Sequence, residues 1–295
     1  MAERAFHRGR VLGLASLIGL SIVLVATLAA SPARTQDVIP ECSGKIPAAA
    51  RLPDLMNMVP IHLHVQEQQK KSRLLFTVGL ANVGDGPMEL APESALTDPT
   101  VLVTASQNLY DGPTNEAGSI VCKRSLADAF VFHPAHNHWH LVGVNGFEVR
   151  RALDDGRGGN WDRKNAIGAL KESFCLLDYV KLDDDQLATF GITLPRREYF
   201  DCFGTHGISI GWIDYYHHST HEQEVDITGA APGLYYLVLT ANPNGIFTEK
   251  NYANNRAWVS FSLTYNGTNN AIATPLYDSF SQVGEGIRPP SNTNK

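Results

Sequence analysis

The run Phe132-His133-Pro134-Ala135-His136-Asn137-His138-Trp139-His140-Leu141-Val142 sets histidines at alternate positions 136, 138 and 140. On a helix, residues i and i+2 point to nearly opposite sides. On a strand, i, i+2 and i+4 share one face, so the spacing predicts a strand or extended segment. At a rise of about 3.3 Å per residue, the outer Cα atoms stand about 13 Å apart, and imidazoles leaning over the central one can share a metal. Three neutral ring nitrogens suit Cu(II) or Zn(II) and leave a position open for water or substrate. A zinc hydrolase on these ligands is disfavoured, because no Glu lies beside them to act as general base. The pair His62 and His64 reads as a histidine-bearing strand face, and His206, His217, His218 and His221 read mainly as loop residues.

The chain that must position these groups has 295 residues, 24 Lys+Arg against 30 Asp+Glu, and 43% hydrophobic residues. That content supports a core and excludes a disordered acidic chain or a small disulfide scaffold. A net charge of -6 gives no reason to bind phosphate backbones, so nucleic acid is not an expected partner. Arg4, Arg8 and Arg10 precede an uncharged apolar run that ends in small residues around Ala29 to Ala33. Residues 1–33 are therefore expected to be a secretory signal, or an N-terminal anchor that would bring the chain to a membrane if retained. Without Arg4, Arg8, Arg10 and Glu3 the charge becomes -8. In a secreted protein Cys42, Cys122, Cys175 and Cys202 are free to form two disulfides, with three possible connectivities.

Short runs of β-formers between turn residues predict an all-β fold, an antiparallel immunoglobulin-like β-sandwich with long loop insertions and little helix. The expected strands are 74–80, before the turn at 82–87, and the pair 233–240 and 257–263. The first and last of these regions are expected to form corresponding edges of the sandwich. Residues 104–120 and 154–168 read as long loops, with a short helix around 166–179. One catalytic domain is expected over 34–280, followed by a flexible tail, 281–295.

Three motifs in order resemble the catalytic domain of the lysyl oxidase family, the copper-dependent protein-lysine 6-oxidases, in its prokaryotic-type form. The histidine run is similar to the family's copper motif. Lys171-Glu172-Ser173-Phe174-Cys175-Leu176-Leu177-Asp178 resembles its K-x-S-F-C-L-x-D. Asp214-Tyr215-Tyr216, Gln223-Glu224-Val225-Asp226-Ile227-Thr228 and Pro232-Gly233 resemble its D-x-Y, Q-x-x-D-I-T and P-G elements. The likeness runs from about Leu52 to Leu263.

The resemblance implies an amine oxidase that converts a primary amine, or lysine in a protein substrate, to an aldehyde. O2 is the oxidant, and hydrogen peroxide and ammonia are released. It implies copper on His136, His138 and His140, and a self-derived lysine tyrosylquinone built from Lys171 and Tyr216. Asp214, two residues before Tyr216, is the first candidate for the base that removes the substrate α-proton, with Asp178 and Asp226 as competitors. His133 falls on a family position that is not a ligand. The competing reading is an exported copper- or zinc-binding β-sandwich module that never forms the quinone.

Departures from the family carry information as well. Ala135 stands where the family has a Cys whose usual partner aligns near Cys202, and the customary short-range partner of Cys175 is missing. The resemblance therefore implies the pairs Cys175–Cys202 and Cys42–Cys122. Leu170 precedes Lys171, where animal members carry His. A calcium site is also implied, with Asp54, the Leu55 carbonyl, Glu249, Asn251, Asn254 and Asn255 as ligands, since Ca²⁺ prefers such oxygen donors.

Overall fold

The computed structural model describes residues 39 to 291 apart from Ser43 and Leu194, without the Lys171 and Glu172 side chains. The expected signal or anchor lies outside the described residues. Among the described residues, no helix is long and apolar enough to cross a membrane.

Two largely antiparallel sheets face each other as an immunoglobulin-like sandwich. The smaller is organised on β3 (Lys71–Asn82), whose neighbours are β1 (Leu55–Asn57), β2 (Ile61–Gln68), β11 (Trp212–Tyr216) and β12 (Glu224–Asp226), with β9 (Val180–Lys181) beyond β11. The larger runs in the order β10 (His206–Ile208), β4 (Met88–Pro92), β5 (Val103–Tyr110), β6 (Ile120–His133), β7 (His138–Ala152), β13 (Gly233–Ala241), β14 (Arg256–Tyr265) and β15 (Ala271–Asp278). β8 (Trp161–Phe174) also pairs with β7. Among the described residues, helix is confined to α1 (Asp184–Thr189) and α2 (Ser279–Val283).

Alternation explains the layers. Leu74, Phe76, Val78 and Leu80 of β3 point into the core between the sheets, as period-two side chains must. Phe76 meets Phe147 of β7 edge-on at 5.2 Å, and Phe147 meets Phe174 of β8 at 6.0 Å. This aromatic chain crosses the sandwich and fixes the end of β8, where the candidate site begins. β13 buries both faces: Tyr235, Leu237 and Leu239 enter the main core, while Tyr236 and Val238 pack with Trp161 and Trp258. A strand covered on both sides reads as a continuous apolar run, as residues 233–240 do in the sequence.

Four expectations change. β3 lies between β1 and β11, and β13 lies between β7 and β14, so both are interior strands and neither is an edge. Residues 104–110 of the expected first loop belong to β5, which lies between β4 and β6. The second loop ends at β8, which takes residues 161–174 as strand. The expected helix is therefore replaced by β8 over its first part, despite the helix-favouring Ala166, Ala169 and Leu170, because pairing with β7 satisfies the backbone there. Gly168 permits this packing: a Cβ there would lie 2.4 Å from the Asp226 carbonyl oxygen of β12. In the stretch after α2, Ile287 is buried and its backbone pairs with Asn57 and Val59.

The disulfides are Cys42–Cys122 and Cys175–Cys202, the pairing that the family resemblance implied. They span 80 and 27 residues, which the chain-entropy formula values at roughly 4.5 and 3.5 kcal/mol. Two disulfides fit an oxidising, extracellular-type compartment.

Candidate active site

The histidine run folds as a hairpin. β6 and β7 pair His133 with His138, Phe132 with Trp139 and Val131 with His140, and residues 134–137 form the turn. The amides of His136 and Asn137 both donate to the His133 carbonyl, at 3.1 and 2.9 Å. Asn137 takes the left-handed conformation, φ 57°, which Asn tolerates better than most residues. His136 is thus a turn residue, and only His138 and His140 share a strand face. The expected single extended segment is overturned, and the bend replaces the long reach it required.

The result brings one nitrogen each of His136 and His138 close to His140. His140 Nε2 lies 3.1 Å from His136 Nδ1 and 3.0 Å from His138 Nε2. Nitrogens about 2.0–2.1 Å from one ion would show these separations at N–metal–N angles of roughly 95°, which a tetragonal Cu(II) accepts readily. His136 Nε2 is buried without a hydrogen-bond partner. Burial, followed by the neighbouring imidazoles, pushes His140 down to about 3. His136 and His138 are lowered too, chiefly by burial. All three are therefore held in the neutral form a metal requires.

His140 Nδ1 lies 3.1 Å from Ser173 Oγ, a contact that orients the ring from behind. Ser173 lies inside the quoted K-E-S-F-C motif, but that motif assigned it no role. The His133 ring stacks on those of His136 and His140, at 4.3 and 4.6 Å, and its Nε2 lies 2.9 Å from Glu222. His133, His136 and His140 bring ring nitrogens within 4.8 Å of one another. The face-on stacking nevertheless sets His133 beside the other rings, whereas His138 points a nitrogen at His140. His138 also approaches Cys175 and Cys202, whose sulfurs are spent on each other in the disulfide.

Tyr216, at the end of β11, donates its hydroxyl to the Cys175 carbonyl at 2.8 Å and accepts the Cys175 amide at 3.2 Å. Its ring meets Phe174 edge-on at 4.8 Å. Lys171 lies on the same strand as Phe174, its backbone opposite Gly146 of β7; its side chain is outside the described part. Asp214 and Tyr216, two apart on β11 and so on one face, line a narrow space with Val78, Leu80, Asn145 and Phe174.

Burial separates the three candidate carboxylates. Asp214 is 3% exposed and is raised well above the carboxylate range, first by desolvation and further by Asp178, against a backbone hydrogen bond at Leu177. Asp178 is also raised by burial, but its oxygens accept the amides of Glu198, Tyr199 and Ser209 and the Ser209 hydroxyl. Asp226 is half exposed, paired with Lys71 at 3.0 Å and bonded to Thr228. Asp178 and Asp226 are thus committed to holding loops and turns, which leaves Asp214 as the carboxylate beside Tyr216.

The oxygen-rich residues form a separate cluster between β1 and the turn before β14. Glu249 accepts from Asn242 and Asn255, both at 2.7 Å, and from the Leu55 amide at 3.1 Å. Asn254 donates to Asp54 at 2.9 Å. The Oδ1 atoms of Asn254 and Asn255 are buried without hydrogen-bond partners, and desolvation raises both Asp54 and Glu249. Orphaned amide oxygens beside two carboxylates are the donor set of a hard cation. Asn251 stands apart: it is exposed, and its Oδ1 is taken by the Ala253 amide.

The lysyl oxidase family model matches residues 114–274, more than half of the chain, from the loop before β6 into β15. The chain belongs to the lysyl oxidase family. Lysyl oxidase homolog 2 of Homo sapiens is 30% identical over 172 residues, covering 56% of this chain and 19% of that protein. The homolog 2 of Xenopus laevis is 34% identical over 128 residues, 43% of this chain and 14% of that protein. Lysyl oxidase homolog 4 of Homo sapiens is 32% identical over 128 residues, covering 43% and 15%. The chain therefore spans less than a fifth of these relatives' length. The region matched to the lysyl oxidase family holds both β6 and β7 and the residues bearing Lys171, Asp214 and Tyr216.

Proposed function

We propose that this chain is an exported, copper-dependent amine oxidase that converts primary amines, peptidyl lysine foremost, to aldehydes. The overall reaction takes one amine, one O2 and one water to one aldehyde, one ammonia and one hydrogen peroxide. The observation that carries the reading is the tripeptide Ser173-Phe174-Cys175. Ser173 touches the metal-ready histidines, Phe174 packs on the Tyr216 ring, and Cys175 holds the Tyr216 hydroxyl. Three motifs distant in sequence meet on three consecutive residues.

Copper would be held by His136, His138 and His140 and would supply oxygen chemistry for building lysine tyrosylquinone from Tyr216 and Lys171, a group that would supply an electrophile and electron sink for amines. The chain's own residues do the rest. Ser173 fixes the His140 ring, leaving Nε2 for the metal. Val78, Leu80 and Phe174 exclude water beside Tyr216, which favours the neutral, nucleophilic form of an arriving amine. Asp214 takes the substrate α-proton on its carboxylate, and its desolvated setting makes it a stronger base than an exposed Asp. The negative charge of the chain favours approach of ammonium groups.

A calcium ion on Asp54, Glu249, Asn254 and Asn255 belongs to the same proposal as a structural tie between β1 and the turn before β14. The buried, unpartnered oxygens of Asn254 and Asn255 support it. For the oxidase itself, the test is peroxide release from an alkylamine by protein produced with copper. Turnover is expected in the wild type and is expected to vanish in Tyr216→Phe. Copper-loaded wild type without turnover would leave a metal-binding module and remove the oxidase.

A further inference from the structure

A second group of histidines lies outside this site. His62 of β2 and His217 and His218, just after β11, bring one ring nitrogen each within 4.8 Å of one another. His62 and His217 are exposed and His218 is half-buried, so a cation can reach them from solvent.

Local structure builds this arrangement. The pairing of β2 with β3 shifts register between Ile61 and His64, and His62 adopts φ 57°, a conformation uncommon for a non-glycine residue. Fully buried Thr77 orients two of the rings: its Oγ1 accepts the His218 amide at 2.9 Å and lies 3.1 Å from His62 Nδ1 and 3.5 Å from His218 Nδ1. His217 Nδ1 lies 2.8 Å from Ser219 Oγ. When Thr77 accepts Nδ1–H of His62, the opposite Nε2 carries the lone pair; fixing a tautomer from behind is how ligating histidines are prepared. His64 adds an edge contact to His218 at 4.8 Å.

We infer that His62, His217 and His218 form a second, surface-accessible site for a borderline divalent cation, copper(II) ahead of zinc(II). Three imidazoles without a thiolate or a carboxylate select that class, and the general affinity order for nitrogen ligands places Cu(II) above Zn(II). The site lies beside the candidate active centre. An open groove is lined by His64, His218, His221 and Glu222. The His221 ring lies 6.3 Å from that of His136, and Glu222 contacts His133. Copper held there would adjoin the loop whose His221 and Glu222 reach the hairpin histidines.

The test is copper stoichiometry on the full chain, titrated with Cu(II) buffered by glycine and followed by elemental analysis and electron paramagnetic resonance. Two equivalents with distinct spectra are expected in the wild type. His62→Ala and His217→Ala should each weaken one equivalent at least tenfold and leave the other spectrum intact. Thr77→Val, which keeps the shape and removes the hydroxyl, should weaken the same equivalent less. His140→Ala should remove the other equivalent only, so failure of the catalytic site is read separately. Zinc at equal concentration should be displaced from the surface site by copper. Absence of any equivalent in the wild type that weakens in His62→Ala and His217→Ala would overturn the inference, whatever the hairpin site binds.

Discussion

The two histidine groups use the same ligand atoms and differ in what surrounds them. At the β6–β7 hairpin, His140 is 2% exposed, its ring is backed by Ser173, and the strand that supplies Ser173 leads to Phe174, Cys175 and Tyr216. At the β2 bulge, the rings are mostly open to solvent, the residue behind them, Thr77, lies on an apolar strand, and the polar neighbours His64, Ser219 and Glu222 are themselves exposed. A metal on the first group would have Tyr216 within reach of the same short segment, whereas a metal on the second would have only exposed neighbours. Binding chemistry is set by the ligands, and reaction chemistry by the dry, polar neighbour that one group has and the other lacks.

The sharpest break between them is His140→Ala. It should abolish amine turnover and the buried copper together, measured by peroxide release and bound metal, while the copper at His62, His217 and His218 persists. Asp214→Asn should follow, lowering kcat by about 10²–10⁴-fold with copper content unchanged. Because burial raises Asp214, the carboxylate form that accepts a proton increases as pH rises through that raised value. The wild-type rate should climb across this limb, and Asp214→Asn should flatten it. Ser173→Ala should weaken the buried copper by about 10–100-fold, the usual scale for a residue orienting a ligand, and leave the exposed equivalent alone.

Asp226→Asn should have the smallest effect, through stability alone. The Thr228 hydroxyl, first among several hydrogen bonds, holds Asp226 down to about 2. A carboxylate lowered in the fold stabilises it above its unfolded value and loses that contribution as pH falls toward 2. Thermal unfolding from pH 6 to pH 2 should show the wild-type advantage over the variant shrinking with acid, while turnover at neutral pH stays the same.

The sequence exposed the parts of the fold governed by local pattern. β3, β13 and β14 were legible because their apolar runs end in Asn, Pro and Gly. β8 was not, because its helix-favouring residues are overruled by pairing with β7. The alternating histidines suggest metal ligands, but the bend at His136 depends on the backbone of Asn137, which spacing does not reveal. Choosing among Asp178, Asp214 and Asp226 required burial and hydrogen-bond partners. His62 could not be linked to His217 and His218, since only the pairing of β2, β3 and β11 brings them together. The disulfide pairs were legible only through the family resemblance, because the counts alone allowed three arrangements.

The most direct measurement is peptide mapping by mass spectrometry of the chain produced with copper and oxygen. A single cross-linked species joining the peptides of Lys171 and Tyr216 is expected, absent from protein produced without copper and from His140→Ala. Recovery of the two peptides as separate, unmodified species from copper-loaded protein would contradict an oxidase built on this pair.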